Sequence, residues 1–197
     1  MAYASLAELK VYRGIAAATT SDDTLLSSFL ASAEAMIDAA CHRVFETPAA
    51  ATTRYYDAVI DILPDGRTLY LSADLAAAPD AVVNGDGETI DSDDYVTLPR
   101  NEWPAYAIKL KQGASVSWDY EDSPEDAIQV TGHWGYAQAA PDDIKHATLR
   151  LAAYLYAQKD VQASDTLGIA GEGQVTVARG MPQDVYDTIR KYKALVR

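Results

Sequence analysis

Two helical patterns separated by a long strand-like stretch set the terms on which this chain can fold. Leu26, Phe29, Leu30, Ala33, Met36, Ile37, Ala40 and Cys41 recur at three- and four-residue spacing. That spacing lines one face of an α-helix running from Asp22 to about Arg43. Ser27, Ser28, Ser32, Glu34 and Asp38 fill its other faces. The next long stripe of this kind begins only after Pro141, with Ile144, Ala147, Leu151, Tyr154 and Leu155. A helix with one apolar stripe has to bury it against another element. The two ends of the chain are therefore expected to close on each other, with the stretch between them inserted as an arm. Ala33, Met36, Ile37, Leu151 and Leu155 are the residues expected to be buried.

Local signals punctuate this layout. Ser5 and Glu8 have capping-box spacing, so a short helix should run to about Arg13 and stop at Gly14. Ser21 or Asp22 caps the long helix, and Asp22 and Asp23 suit its positive N-terminal end. Pro141 with Asp142 and Asp143 opens the next helix by the same logic. Met181-Pro182 precedes a last helix with Val185, Ile189, Tyr192 and Val196 on one side. Between the two long helices lie short runs rich in aromatic and β-branched residues: 53–57, 68–71, 81–83, 95–98, 107–110 and 128–130. Pro64-Asp-Gly66, Asn84-Gly-Asp-Gly87 and Lys111-Gln-Gly113 are turn signals between them. Residues 161–180 hold four glycines and no sustained period, which predicts a long loop with one strand over Gln174–Ala178. Loops of that length are usually functional or ordered by a partner. The expected fold is α+β: a small, antiparallel-type bundle of about four helices carrying an inserted, mostly antiparallel β arm, as a small sheet or open barrel. As one domain it would comprise N-terminal helices (1–45), the β region (52–136) and C-terminal helices (141–197).

Charge narrows the function classes. The 197 residues include 16 Lys and Arg against 29 Asp and Glu, a formal charge of −13. Proteins that grip DNA phosphates do so with clustered cations, so tight duplex binding is not expected, although DNA can pass an acidic wall. The charge is uneven: at the C-terminal end Arg179, Arg190, Lys191, Lys193 and Arg197 stand against Asp184 and Asp187. A basic tail on an acidic body suits an acidic partner or a charged helix end. The single Cys41 falls on the apolar stripe and reads as a core residue that cannot form an internal disulfide. No apolar run approaches the ~20 residues of a membrane span, and no signal-peptide core follows Met1. A soluble protein made in the cytoplasm is the expectation.

Catalytic and metal patterns are not apparent. Asn84, Asp86 and Glu88 match the first ligand positions of a calcium loop, but Thr89 replaces its glycine and Tyr95 its bidentate glutamate. His42, His133 and His146 lack ligand spacing among themselves or with Cys41. Gly168-Ile-Ala-Gly171-Glu-Gly173 lacks the Lys and Ser/Thr of a phosphate loop. The pairs Asp22/Asp23 and Asp142/Asp143 are explained by helix starts. No catalytic residue, cofactor or metal site is expected.

Taken in order, several short motifs resemble the head-to-tail connector family of tailed bacteriophages, also called adaptor or head-completion proteins. They are Leu6-Ala-Glu-Leu-Lys10, Asp22-Asp-Thr-Leu-Leu26, Ala35-Met-Ile-Asp38, Arg43-Val-Phe45 and Thr53-Arg-Tyr-Tyr-Asp57. Then come Asp94-Tyr95, Asn101-Glu-Trp-Pro104, Val130-Thr-Gly-His-Trp-Gly-Tyr136, Pro141-Asp-Asp-Ile144, Ala153-Tyr-Leu-Tyr156 and Met181-Pro182. The resemblance implies a structural virion protein of the neck, made in the host cytoplasm. It implies a homo-oligomeric ring of about twelve copies under the portal, extending the DNA channel and offering a platform to the next neck or tail protein. Arg179, Met181, Tyr186, Ile189, Arg190, Lys191, Tyr192, Lys193 and Arg197 are the candidate portal-docking residues. The β region is long beside the shortest family members, so its contacts are not carried over. Two alternatives stay open: another neck or tail-terminator ring protein, or a β-domain that binds carbohydrate through Trp103, Trp118 or Trp134.

Overall fold

The computed structural model describes residues 2–159, 166–169, 173–176 and 181–194. Its elements are α1 (Leu6–Arg13), α2 (Asp23–Cys41), β1 (Thr52–Tyr56), β2 (Thr68–Leu75), β3 (Ala81–Val83), β4 (Tyr95–Leu98), β5 (Ala105–Leu110) and β6 (Ile128–Gly132). After these come α3 (Asp142–Gln158), β7 (Thr166–Ile169), β8 (Gly173–Thr176) and α4 (Gln183–Ile189), which runs into a 3-10 turn at Arg190–Tyr192. The fold is α+β: the described residues form four helices, two three-stranded antiparallel sheets and the two-stranded β7–β8 pair. The chain divides into a helical unit, residues 2–42 with those from 141 onward, and a β unit, residues 43–140.

In the helical unit α2 packs on α3, although nearly the whole β unit separates them in sequence. Leu26, Leu30, Ala33, Ile37 and Cys41 of α2 are buried, as are Ile144, Ala147, Leu151 and Ala152 of α3. Val185 and Ile189 of α4 complete this core. Cys41 donates its thiol to the Ile189 carbonyl at 3.4 Å, and the Ala194 N–H donates to the Cys41 carbonyl at 2.9 Å. The α1 capping box is present: Glu8 N–H donates to Ser5 Oγ at 3.2 Å, and Ser5 N–H donates to Glu8 Oε2 at 2.8 Å. Gly14 ends α1 in the left-handed region (φ 68°).

Two expectations need correction here. Met36 is 38% exposed and Leu155 is half-buried, so neither belongs to the fully buried set. The buried arc of α2 is rotated toward the side of Glu34 and Asp38. The N-terminal segment covers that flank: Tyr3 N–H donates to Glu34 Oε1 at 2.7 Å, and Tyr3 Oη–H donates to Asp38 Oδ1 at 2.6 Å. The Phe29–Met36–Ala40 flank is left nearer to solvent. Among the described residues α2 is the one helix long and apolar enough to cross a membrane by length and composition. Its stripe is occupied by α3 instead.

The β unit contains two three-stranded antiparallel sheets, ordered β1–β6–β3 and β2–β5–β4, where one sheet or an open barrel was expected. Alternation along β6 explains the layering, with Ile128, Val130 and Gly132 inside and Gln129 and Thr131 less buried. Leu69, Leu71, Leu75, Ile108, Leu110 and Trp134 share one apolar cluster with Ile128 and Val130. The unit also closes at its own entrance. Tyr136 N–H donates to the Val44 carbonyl at 2.8 Å, and Thr47 N–H donates to the Ala137 carbonyl at 3.0 Å. Gly135 makes this closure possible: at φ 153° a Cβ there would sit 3.0 Å from Thr47 Cγ2. The acidic stretch 84–89 is a tight turn, with Asn84 N–H donating to the Glu88 carbonyl at 2.8 Å.

Within the long loop, the strand expected over Gln174–Ala178 is Gly173–Thr176, and it pairs with a second strand, Thr166–Ile169. Ala178 and Val196 lie outside the described residues.

Ile37→Ala or Leu151→Ala should cost roughly 2–5 kcal/mol in denaturant unfolding, because each side chain is fully enclosed. Met36→Ala should cost clearly less. A pH effect should accompany this. The Lys145 ammonium and the Ser5 N–H and hydroxyl hold Glu8 near a pKa of about 2, below its ordinary 4.5. A depressed carboxylate stabilises the fold above the unfolded value and loses that contribution as pH falls through the folded value. Burial raises Glu34 and Asp38, which gives them the opposite sign at higher pH. Thermal melts should therefore fall between about pH 4.5 and 2, and Glu8→Gln should flatten part of that slope.

Candidate functional site

The residues expected to dock on a portal divide sharply. Val185 and Ile189 are core, so Ile189 faces the other helices and not a partner. Tyr192 is half-buried and its hydroxyl donates to the Asp143 carboxylate at 2.8 Å, which ties the 3-10 turn to the start of α3. Met181 is half-buried as well. Tyr186 is 51% exposed, and Arg190, Lys191 and Lys193 are exposed, with no ion pair to any described residue. Arg179 and Arg197 lie outside the described residues. What remains exposed is Tyr186, followed in sequence by three cations. Tyr186 and Arg190, four residues apart, share one face.

Four other described cations of the helical unit form ion pairs, and Arg13 lies 5.4 Å from the Tyr156 ring centroid. Lys145 meets Glu8 at 2.5 Å, Arg150 meets Asp184 at 2.9 Å, and Lys159 meets Asp22 at 2.9 Å. Lys145 lowers Glu8, the Tyr156 hydroxyl and then Lys159 lower Asp22, and Arg150 lowers Asp184, while the carboxylates in turn raise Lys145, Arg150 and Lys159. Lys10 is buried, bonded to Asp23 at 2.5 Å and to the Ala17 carbonyl at 3.3 Å.

The β unit carries the acidity. Residues 43–140 hold six Lys and Arg against seventeen Asp and Glu, so nearly all of the chain's net charge sits there. Two of its cations form ion pairs, Arg43 with Asp74 at 3.5 Å and Lys109 with Asp65 at 2.8 Å. Lys109 and the Thr68 hydroxyl hold Asp65 well below the usual carboxylate range, whereas burial pushes Asp74 up.

The tryptophans do not form a common platform. Trp134 is buried, its indole N–H donates to the Thr52 carbonyl at 2.8 Å, and Arg54 lies 4.8 Å from its ring centroid. Trp118 packs against the β core and donates to the Arg67 carbonyl at 2.8 Å. Trp103 alone is largely open, at 46%. The described residues contain no group of three or more His, Cys, Asp or Glu placed to hold a metal.

Sequence reasoning missed one surface feature, the turn 57–61. Its two aspartates look like ordinary solvated turn residues, yet they frame Val59 and Ile60, which are 59% and 82% exposed. An apolar pair between two aspartates was the available signal.

No protein-family model and no curated protein matches the chain. Solved structures do. The chain is similar to one from the neck of an empty GTA particle computed with C6 symmetry, at 17% identity and a TM-score of 0.60, covering 98% of this chain and 90% of that one. A chain from the virion of a native gene transfer agent (GTA) particle matches at 18% identity and 0.61, again over 98% and 90%. A third, from the neck of a native GTA particle computed with C12 symmetry, matches at 16% identity and 0.59, over 98% and 89%. At these identities the likeness establishes the fold, and it runs through helices and strands alike.

Proposed function

We propose that this chain is a structural protein of the neck of a phage-like particle, where copies of it form a ring that extends the DNA channel between portal and tail. The observation that carries the reading is the extent of the likeness: 98% of this chain aligns with 90% of a GTA neck chain. A shared local motif would have matched only one of the two units. The C6 and C12 symmetries of the neck structures support a ring, and the connector-like order of motifs supports the same place in a virion. The role is structural, without catalysis or a cofactor, and its partners are further copies of itself, the portal and the next tail component. The acidic β unit suits a channel past which DNA slides, because fixed cations would hold phosphates and slow it.

Deleting the gene from a producing strain tests this. Heads filled with DNA but lacking tails should accumulate, and supplying the protein in trans should restore tailed particles. Normal yields of tailed, infectious particles without the protein would overturn the reading.

A further inference from the structure

The segment Asp57-Ala-Val-Ile-Asp61 follows β1 and is tied down at every backbone donor. Asp57 Oδ1 accepts the N–H groups of Val59 and Ile60, each at 2.7 Å. Asp57 N–H donates to Asp61 Oδ2 at 2.8 Å, and Asp61 N–H donates back to the Asp57 carbonyl at 3.2 Å. Ala58 N–H donates to the Pro124 carbonyl at 2.9 Å, which fastens the turn to the loop 119–126. A segment bonded this fully is held in one conformation, yet it holds Val59 and Ile60 out in water. Preorganised apolar projections reduce the ordering penalty of binding, which is the anatomy of an interface anchor.

The surroundings define the partner's chemistry. Segments 57–61 and 119–126 together hold seven acidic residues and no Lys or Arg. None of the seven forms an ion pair among the described residues. A complementary surface must offer apolar area flanked by cations. The end of α4 has that chemistry: exposed Tyr186 followed by Arg190, Lys191 and Lys193, none in an ion pair among the described residues. In a chain with 29 acids and 16 bases, no other described stretch brings three free cations so close together. Packing many copies of net charge −13 side by side also raises a repulsion that an acid-to-base contact offsets.

We propose that the Val59–Ile60 tip of one copy docks on the Tyr186–Lys193 end of the next. Two different patches of one chain then meet head to tail, as a closed ring requires. The proposal rests on the ring reading above and names the contact that builds it.

Self-association of the full chain, followed by sedimentation velocity and native mass spectrometry at low and high salt, tests this, with circular dichroism to verify folding. The wild type should form closed oligomers that loosen as salt rises. Ile60→Asp, and separately Lys191→Glu with Lys193→Glu, should weaken association by about tenfold or more. Asp122→Lys with Glu125→Lys should weaken it likewise, and combining the two charge reversals should restore it. Rings that persist unchanged in every variant would overturn this contact while leaving the ring reading intact. A wild type that stays monomeric under all conditions, and within particles, would sink the ring reading and the contact together. If the lysine variant forms rings but fails to join particles, the basic end serves the portal or another neck protein, and the self-contact is wrong.

Discussion

The packing of α2 against α3 is the constraint on which the rest of the helical unit depends. Each helix has one apolar stripe, and Ala33, Ile37 and Leu151 are fully enclosed only because the two stripes meet. Contacts between segments so far apart in sequence carry a loop-closure penalty, which grows only slowly with loop length. The β unit reduces that difficulty from its own side. Its two ends hydrogen-bond to each other between Val44–Thr47 and Tyr136–Ala137, so the insert folds with its entrance and exit already together. Each unit thus has its own core, and neither depends on a disulfide.

Charge is the second organising property. Among the described residues of the helical unit, Lys10, Lys145, Arg150 and Lys159 form ion pairs and Arg13 lies over the Tyr156 ring, whereas Arg190, Lys191 and Lys193 follow one another at the end of α4 without an ion pair. Most carboxylates of the β unit form no ion pair among the described residues. Exposed pairs of this kind contribute little to stability. Their distribution matters for what the surface attracts, and it is the basis of the proposed contact between copies.

Much of this was legible from the residues. The stripe from Leu26 to Cys41, the Ser5–Glu8 box and the Pro141 and Pro182 starts predicted all four helices, because helix periodicity and capping are local. All six strands of the β unit lie where β-branched runs alternate between turn signals. Exposure along α2 was not legible, since Tyr3 shields Glu34 and Asp38 from a segment without periodicity of its own. The split into two sheets depends on pairings such as β1 with β6, which join residues far apart in sequence. The role of the C-terminal cations could be suspected from composition, but only the fold shows that Ile189 and Tyr192 are spent internally while Tyr186, Arg190, Lys191 and Lys193 remain outside.

The central claim is that many copies of this chain encircle the DNA path at the neck. Cryo-electron microscopy of purified particles, with symmetry imposed only after it is detected, measures that directly. The account predicts a ring of density next to the portal, with sixfold or twelvefold symmetry, into which both units of the chain fit at every position. Copies found singly, or on the outer shell away from the DNA path, would contradict it.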